Sequence, residues 1–169
     1  MKRNNSDYYD WCVDLIIQNP DTKYCDVTLS FKSCIKQPYG TYEWITEAEI
    51  IKANKELLKR LNILVLKHAY RRHHKKLTCI PVIEQNRAKN RWHVHMLLEI
   101  PKKYHKNPNI FLDAVRMIAC GLRWFESGPY AQHLIRVIPE MQHALGWLGY
   151  ILKEAKFNLD VIDLQNLSL

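Results

Sequence analysis

Residues 91–100 read Arg91-Trp-His-Val-His-Met-Leu-Leu-Glu-Ile100. Side chains of an extended strand alternate between faces, so Trp92, Val94, Met96, Leu98 and Ile100 share one face while His93 and His95 share the other. The first face is apolar and reads as core. The second presents two neighbouring imidazoles, which can share one metal ion.

Just upstream, Leu77 to Glu84 reads as a second strand, and the polar run Gln85-Asn-Arg-Ala-Lys-Asn90 returns the chain as a hairpin. If pairing is symmetric about that loop, opposite residue numbers sum to about 177, which sets Glu84 across from His93. A carboxylate then stands beside two imidazoles. Two histidines and one carboxylate on one side of an ion leave positions open for substrate oxygen, the mixed donor set expected for Mg²⁺ or Mn²⁺. The plainer alternative is that Glu84 neutralises Arg91 or Lys89.

Farther out, Tyr24 to Phe31 alternates apolar Cys25, Val27, Leu29 and Phe31 with Asp26, Thr28 and Ser30, a first strand with one apolar and one small polar face. Thr46, with Glu49 three residues on, is a capping-box start for a long helix through Ile50, Leu57, Leu58, Leu61 and Leu64 or Val65 toward Arg71. Its basic end, Arg71-Arg-His-His-Lys-Lys76, suits a helix C-terminus. Pro108 to Phe125 reads as a helix ended by Ser127-Gly-Pro129, and His133 to Ile138 as the last strand. A terminal helix is expected after Pro139 through about residue 156. The predicted order is β-α-β-β-α-β plus that helix: an α+β, ferredoxin-like antiparallel sheet with helices on one face. Residues 24–156 form the core of a single 1–169 domain. Residues 1–23 are an extension, read as a helix packing around Trp11 and Leu15, and 157–169 an acidic, apolar tail.

A chain of 169 residues suits one domain burying roughly 70% of the surface its unfolded form exposes, with no need of a structural metal. Its five cysteines, Cys12, Cys25, Cys34, Cys79 and Cys120, form no Cys-x-x-Cys pair. An odd number at irregular spacing reads as reduced thiols of a cytoplasmic protein, not as a disulfide framework or zinc finger. No apolar run is long enough for a membrane span, and Asp7, Asp10 and Asp14 break the pattern of a signal peptide. Glycines form no Gly-x4-Gly-Lys-Ser/Thr loop, so any helicase would be a separate partner.

The net charge of +8 is unevenly spread, with fourteen Lys and Arg against three Glu between Lys55 and Lys106. That block predicts a polyanionic partner, most simply nucleic acid. Arg71, Arg72, Lys75, Lys76, Arg87, Lys89, Arg91, Lys102, Lys103 and Lys106 are the candidate phosphate contacts. Trp44 and Tyr104, in or near loops, are the candidates for stacking on unpaired bases, whereas Trp92 reads as core.

A second chemical pairing is Tyr150 with Lys153, three apart on the terminal helix and hence on one face. A phenol beside an ammonium is a nucleophile beside a cation. Free tyrosine ionises near about 10, so attack on phosphorus near neutrality is helped by positive charge and by a metal ion on the phosphate.

Together these residues resemble the HUH endonucleases, a family of rolling-circle replication initiators, relaxases and small single-tyrosine transposases. Thr28-Leu-Ser-Phe31 is similar to its first-strand motif, His93-Val-His95 to its His-hydrophobic-His motif, and Tyr150-Ile-Leu-Lys153 to its catalytic tyrosine motif. The resemblance covers roughly residues 24–156, with the motifs in the family's order. It implies an HUH endonuclease that nicks single-stranded or hairpin DNA, with Tyr150 forming a 5′-phosphotyrosine link and Lys153 assisting it or binding phosphate. It further implies a divalent metal on His93, His95 and a third ligand. Glu84 ranks first for that place; Glu154 and then His143 follow, because some transposase relatives supply the ligand from the tyrosine helix. Four residues either side of Tyr150 stand Gly146 and Glu154, so the pattern is that of a single-tyrosine enzyme. Ending a rolling circle would then require a homodimer, a second site or another nucleophile. A transposase or relaxase with the same chemistry is the nearest alternative. A noncatalytic ferredoxin-like nucleic-acid-binding module is the alternative from another class.

Overall fold

A computed structural model describes residues 5–86, 91–128, 131 and 133–153. Its frame is a four-stranded antiparallel sheet formed by β1 (Lys23–Ser30), β4 (Cys79–Asn86), β5 (Arg91–Ile100) and β6 (Leu134–Val137), in the order β4-β5-β1-β6. A separate two-stranded hairpin, β2 (Cys34–Lys36) with β3 (Tyr42–Trp44), follows β1. The helices are α1 (Asn5–Ile17), α2 (Glu47–Leu66), α3 (His68–His73), α4 (Pro108–Cys120) and α5 (Met141–Ile151). The chain is therefore α+β. None of the described helices is long and apolar enough to cross a membrane.

The apolar face of β5 is core as expected, with Val94, Met96 and Leu98 fully buried, but the histidine face is not open: His95 and Leu97 are buried as well. Val94, Met96 and Leu98 join Cys25, Val27 and Leu29 of β1, Leu57 and Leu61 of α2, and Phe111 and Val115 of α4 in the main core. Trp92 packs against the same core. The capping box that starts α2 is complete: Thr46 N–H donates to Glu49 Oε2 at 2.8 Å, and Glu49 N–H donates to Thr46 Oγ1 at 3.4 Å. Removing Phe111, which has no exposed surface, should therefore cost about 3–5 kcal/mol in a denaturant titration of Phe111→Ala. Met117→Ala on the same helix, at a side chain 67% exposed, should stay within about 0.5 kcal/mol of the parent.

Helices cover both sheet faces rather than one. On the second face Cys12 and Ile16 of α1 and Ala144, Leu148 and Ile151 of α5 pack over Tyr24, Ile80, Val82 and Leu97. The extension is thus a helix as expected, but it buries Cys12 and Ile16, while Trp11 is 39% exposed. Three helix boundaries also differ, that of α5, which ends at Ile151, among them. Lys67 adopts a positive φ of 46°, which ends α2 and sets the basic run apart on α3 and the segment after it. The α4 helix stops at Cys120; Leu122, Trp124 and Phe125 are buried without being helical, and Phe125 bridges back to Phe31. Their apolarity read as helix because burial in an irregular segment leaves the same composition.

None of the five cysteines is in a disulfide. Cys12, Cys25 and Cys79 are buried, and burial, followed by the neighbouring Cys79, pushes the Cys25 thiol well up. Since the thiolate is the reactive form, a disulfide reagent should modify Cys34 and Cys120 in the native protein. The remaining three should react only after denaturation.

Candidate active site

The strand register builds the site. Glu84 pairs directly with His93 across β4 and β5, as symmetric pairing about the loop requires, and on the other side of β5 His93 faces Ser30 while His95 faces Thr28. Period-two alternation puts all five side chains on the second sheet face. Helices α1 and α5 cover that face around Tyr24, Ile80, Val82 and Leu97, and the end of α5 reaches on to His95, which is itself buried. The end of the face nearer the β4–β5 connection carries the polar group.

Each imidazole is anchored through Nδ1 to a hydroxyl of β1: His95 to Thr28 Oγ1 at 2.9 Å and His93 to Ser30 Oγ at 3.2 Å. The ring centroids are 6.4 Å apart. His95 Nε2 lies 3.0 Å from Glu84 Oε2. Burial, the largest influence, pushes both histidines below their ordinary value despite the opposing pull of Glu84, and His93 and Lys153 push His95 the same way. Both rings are therefore neutral near pH 7, the form that ligates metals. A carboxylate only accepts, so in the neutral ring His95 Nε2–H donates to Glu84 and Nδ1 accepts from the Thr28 hydroxyl.

Tyr150 arrives from α5. Trp147 fixes that helix to the strand, donating from Nε1 to the Met96 carbonyl at 3.3 Å and standing edge-on to His95 at 5.8 Å. Tyr150 stacks on Trp147 at 5.2 Å between centroids and stands edge-on to His95 at 6.2 Å. It is 48% exposed, so a strand can reach it. Helix α5 ends at Ile151, short of the expected 156, so Lys153 lies in the turn beyond it; its Nζ still stands 4.5 Å above the Tyr150 ring.

His93, His95 and Glu84 have the donor chemistry of a Mg²⁺ or Mn²⁺ site. Among the described residues, however, no group of three His, Cys, Asp or Glu side chains is arranged to hold an ion. Glu84 is engaged with His95 instead. For His95 to offer its Nε2 lone pair, its proton must move to Nδ1. Thr28 Oγ1 can receive that proton's hydrogen bond as well as it now donates one, since a hydroxyl serves as donor or acceptor. The three side chains thus carry suitable donor atoms, but they are bonded to one another and to β1 rather than arranged around an ion.

His143 is not brought to this group. Its ring is 3.9 Å from Glu140, and it lines a groove with Asp26, Arg136, Gly146 and Trp147. Glu154 lies outside the described residues, as do Arg87 and Lys89. Arg91 is exposed at the His93 end of β5. Arg71, Arg72, Lys75, Lys76, Lys102, Lys103 and Lys106 are exposed too. Lys75 and Lys76 precede β4, and Lys102, Lys103 and Lys106 follow β5, so these five lie at the end of the sheet opposite His93. From His93 to Ile100 the strand spans roughly 23 Å. Lys103 also donates to the Val65 carbonyl at the end of α2 at 2.7 Å. Tyr104 is half-buried against Phe111, centroids 5.6 Å apart, and so packs rather than standing free to stack.

Trp147 and the anchoring roles of Thr28 and Ser30 escaped the sequence reading. The alternation of β1 already put both hydroxyls on the histidine face, but their partners depend on β5 lying beside β1. His133 is a further part: Nδ1 accepts from Ser30 N–H at 3.2 Å and Nε2–H donates to the Glu126 carbonyl at 2.6 Å. No protein-family model matches the chain, and no curated protein or solved structure is significantly similar to it.

Proposed function

We propose that the protein is a single-tyrosine HUH endonuclease of ferredoxin-like fold that nicks DNA to initiate rolling-circle replication of a phage, plasmid or similar element. The observation that carries this reading is the meeting of Tyr150 with His95 at 6.2 Å, from positions 55 residues apart in the chain. The sheet order β4-β5-β1-β6 is also the order of a split β-α-β arrangement, which supports the fold assignment.

In this reading Tyr150 Oη attacks the scissile phosphorus. The phenol gives up its proton to solvent as a tyrosyl O–P bond forms, the bond from phosphorus to the 3′-oxygen breaks, and that oxygen takes a proton from solvent to leave as a 3′-hydroxyl. The 5′-phosphate stays on Tyr150, so the ester bond is conserved for rejoining. Lys153, already over the Tyr150 ring, supplies positive charge beside the phosphate. Trp147 holds the tyrosine against β5. His93, His95 and Glu84 would hold Mg²⁺ or Mn²⁺, which when bound polarises the phosphate. Thr28 and Ser30 orient the imidazoles. The basic end of the sheet suits the phosphates of a flanking stem, well removed from the nick.

Incubation with a labelled single-stranded DNA library and Mn²⁺ tests the reading. A protein–DNA adduct that survives a denaturing gel is expected. Its repeated absence with diverse origins supplied would leave a noncatalytic binding module as the better account.

A further inference from the structure

We infer that the β2–β3 hairpin is a stacking platform for the unpaired DNA strand, formed by Tyr42 and Trp44 with Lys36 between strand and phosphate; this rests on the nuclease reading above. Directly paired residues share a face. Pairing of Lys36 with Tyr42 and of Cys34 with Trp44 therefore puts Lys36, Tyr42 and Trp44 on one face of the hairpin. That face is outward: Tyr42 is 57% and Trp44 60% exposed.

Its opposite face is fixed to the body of the protein. Ile35 packs against the main core, and Glu43 bonds both Gln37 and Arg123. Ile45 N–H closes the base of the hairpin on the Ser33 carbonyl at 3.0 Å, and Gly40, with φ of 82°, makes the tight turn at the tip. The aromatic face is thus held in place before any ligand arrives, which lowers the entropy lost on binding.

Large exposed rings on a rigid hairpin cost solubility without contributing to the core, so their placement calls for an occupant. An unpaired strand fits. Two aromatic faces about 7 Å apart along one strand accept successive bases of any sequence. The neighbouring ammonium of Lys36 complements a phosphate, and the chain is net +8. Position agrees as well. The hairpin starts at Cys34, four residues beyond Ser30, the partner of His93; it is anchored on the main-core face at the His93 end of the sheet, so a DNA strand lying on it would pass over that end to reach Tyr150 on the other face.

The test is the affinity of the full chain for a labelled 20-residue oligothymidylate in a chelator, so that neither metal nor Tyr150 chemistry enters. Tyr42→Ala and Trp44→Ala should each weaken binding about tenfold, as loss of one stacked base does. Binding of a duplex of equal length should change little. Photocrosslinking of wild type to 5-iodouracil-substituted oligonucleotide should label Tyr42 or Trp44, a readout that needs no variant to fold. Unchanged affinity in both variants with crosslinks elsewhere would overturn the platform. So would a wild-type dimer, sensitive to Trp44→Ala, whose affinity for the oligonucleotide is not. Adduct formation is read separately, so the platform can fail while the nuclease stands, and the reverse.

Discussion

Tyr150→Phe is expected to reduce the covalent DNA adduct to background, a loss of at least about 10³-fold, while leaving affinity for the same strand unchanged. The substitution removes one oxygen and nothing else. The ring keeps its stacking on Trp147, its edge contact with His95 and the Lys153 ammonium over its face. Because the side chain is 48% exposed, no buried polar group is orphaned and the fold should not weaken measurably. Denaturing gels score the adduct, and anisotropy in chelator scores binding. Strand cleavage that persists in Tyr150→Phe without an adduct would show water as the nucleophile and remove Tyr150 from the chemistry. Loss of binding together with the adduct would make the tyrosine a DNA contact.

Residues with a strong local period were legible in sequence, and long-range placement was not. The strand and register of β5 were readable because its apolar face alternates with the histidines and the polar loop sets Glu84 against His93, but the histidine face, expected to be open, is buried at His95 and Leu97 by helices whose docking the period does not show. The start of α2 was equally plain, because a capping box satisfies its own backbone groups locally. The β2–β3 hairpin left no such trace: its strands are three residues long, and its outward face carries aromatics where polar residues are usual. The basic block misled for a geometric reason. A run that is continuous in sequence passes up β4 and down β5, so Arg91 lies at the histidine end and Lys75, Lys76 and Lys102 at the other. Charge count survives folding, but its distribution depends on where the hairpin turns. The missed role of Trp147 is of the same kind, since its hydrogen bond to Met96 spans 51 residues.

His95→Ala should also abolish adduct formation, by at least about 10²-fold, and added Mn²⁺ should not restore it. His95 is the hub of the site: Thr28 and Glu84 bond its two nitrogens, and Trp147 and Tyr150 stand edge-on to its ring. Deleting it removes a donor atom and the surface against which the tyrosine rests. The stability cost should stay near about 1–2 kcal/mol, because the Glu84 side chain is 40% exposed and water can take up its lost bond. Thr28→Val separates donor from positioning. It keeps the shape of the side chain and deletes only the hydroxyl that orients His95, so the expected loss is about 10–100-fold, with the Mn²⁺ dependence moved to higher concentration and activity recovered there. If His95→Ala were rescued by Mn²⁺ like Thr28→Val, the imidazole would be orienting Tyr150 rather than ligating. Equal adduct yields in His95→Ala and wild type would separate the tyrosine from the histidines altogether, and the proximity of Tyr150 to His95 would then be packing alone.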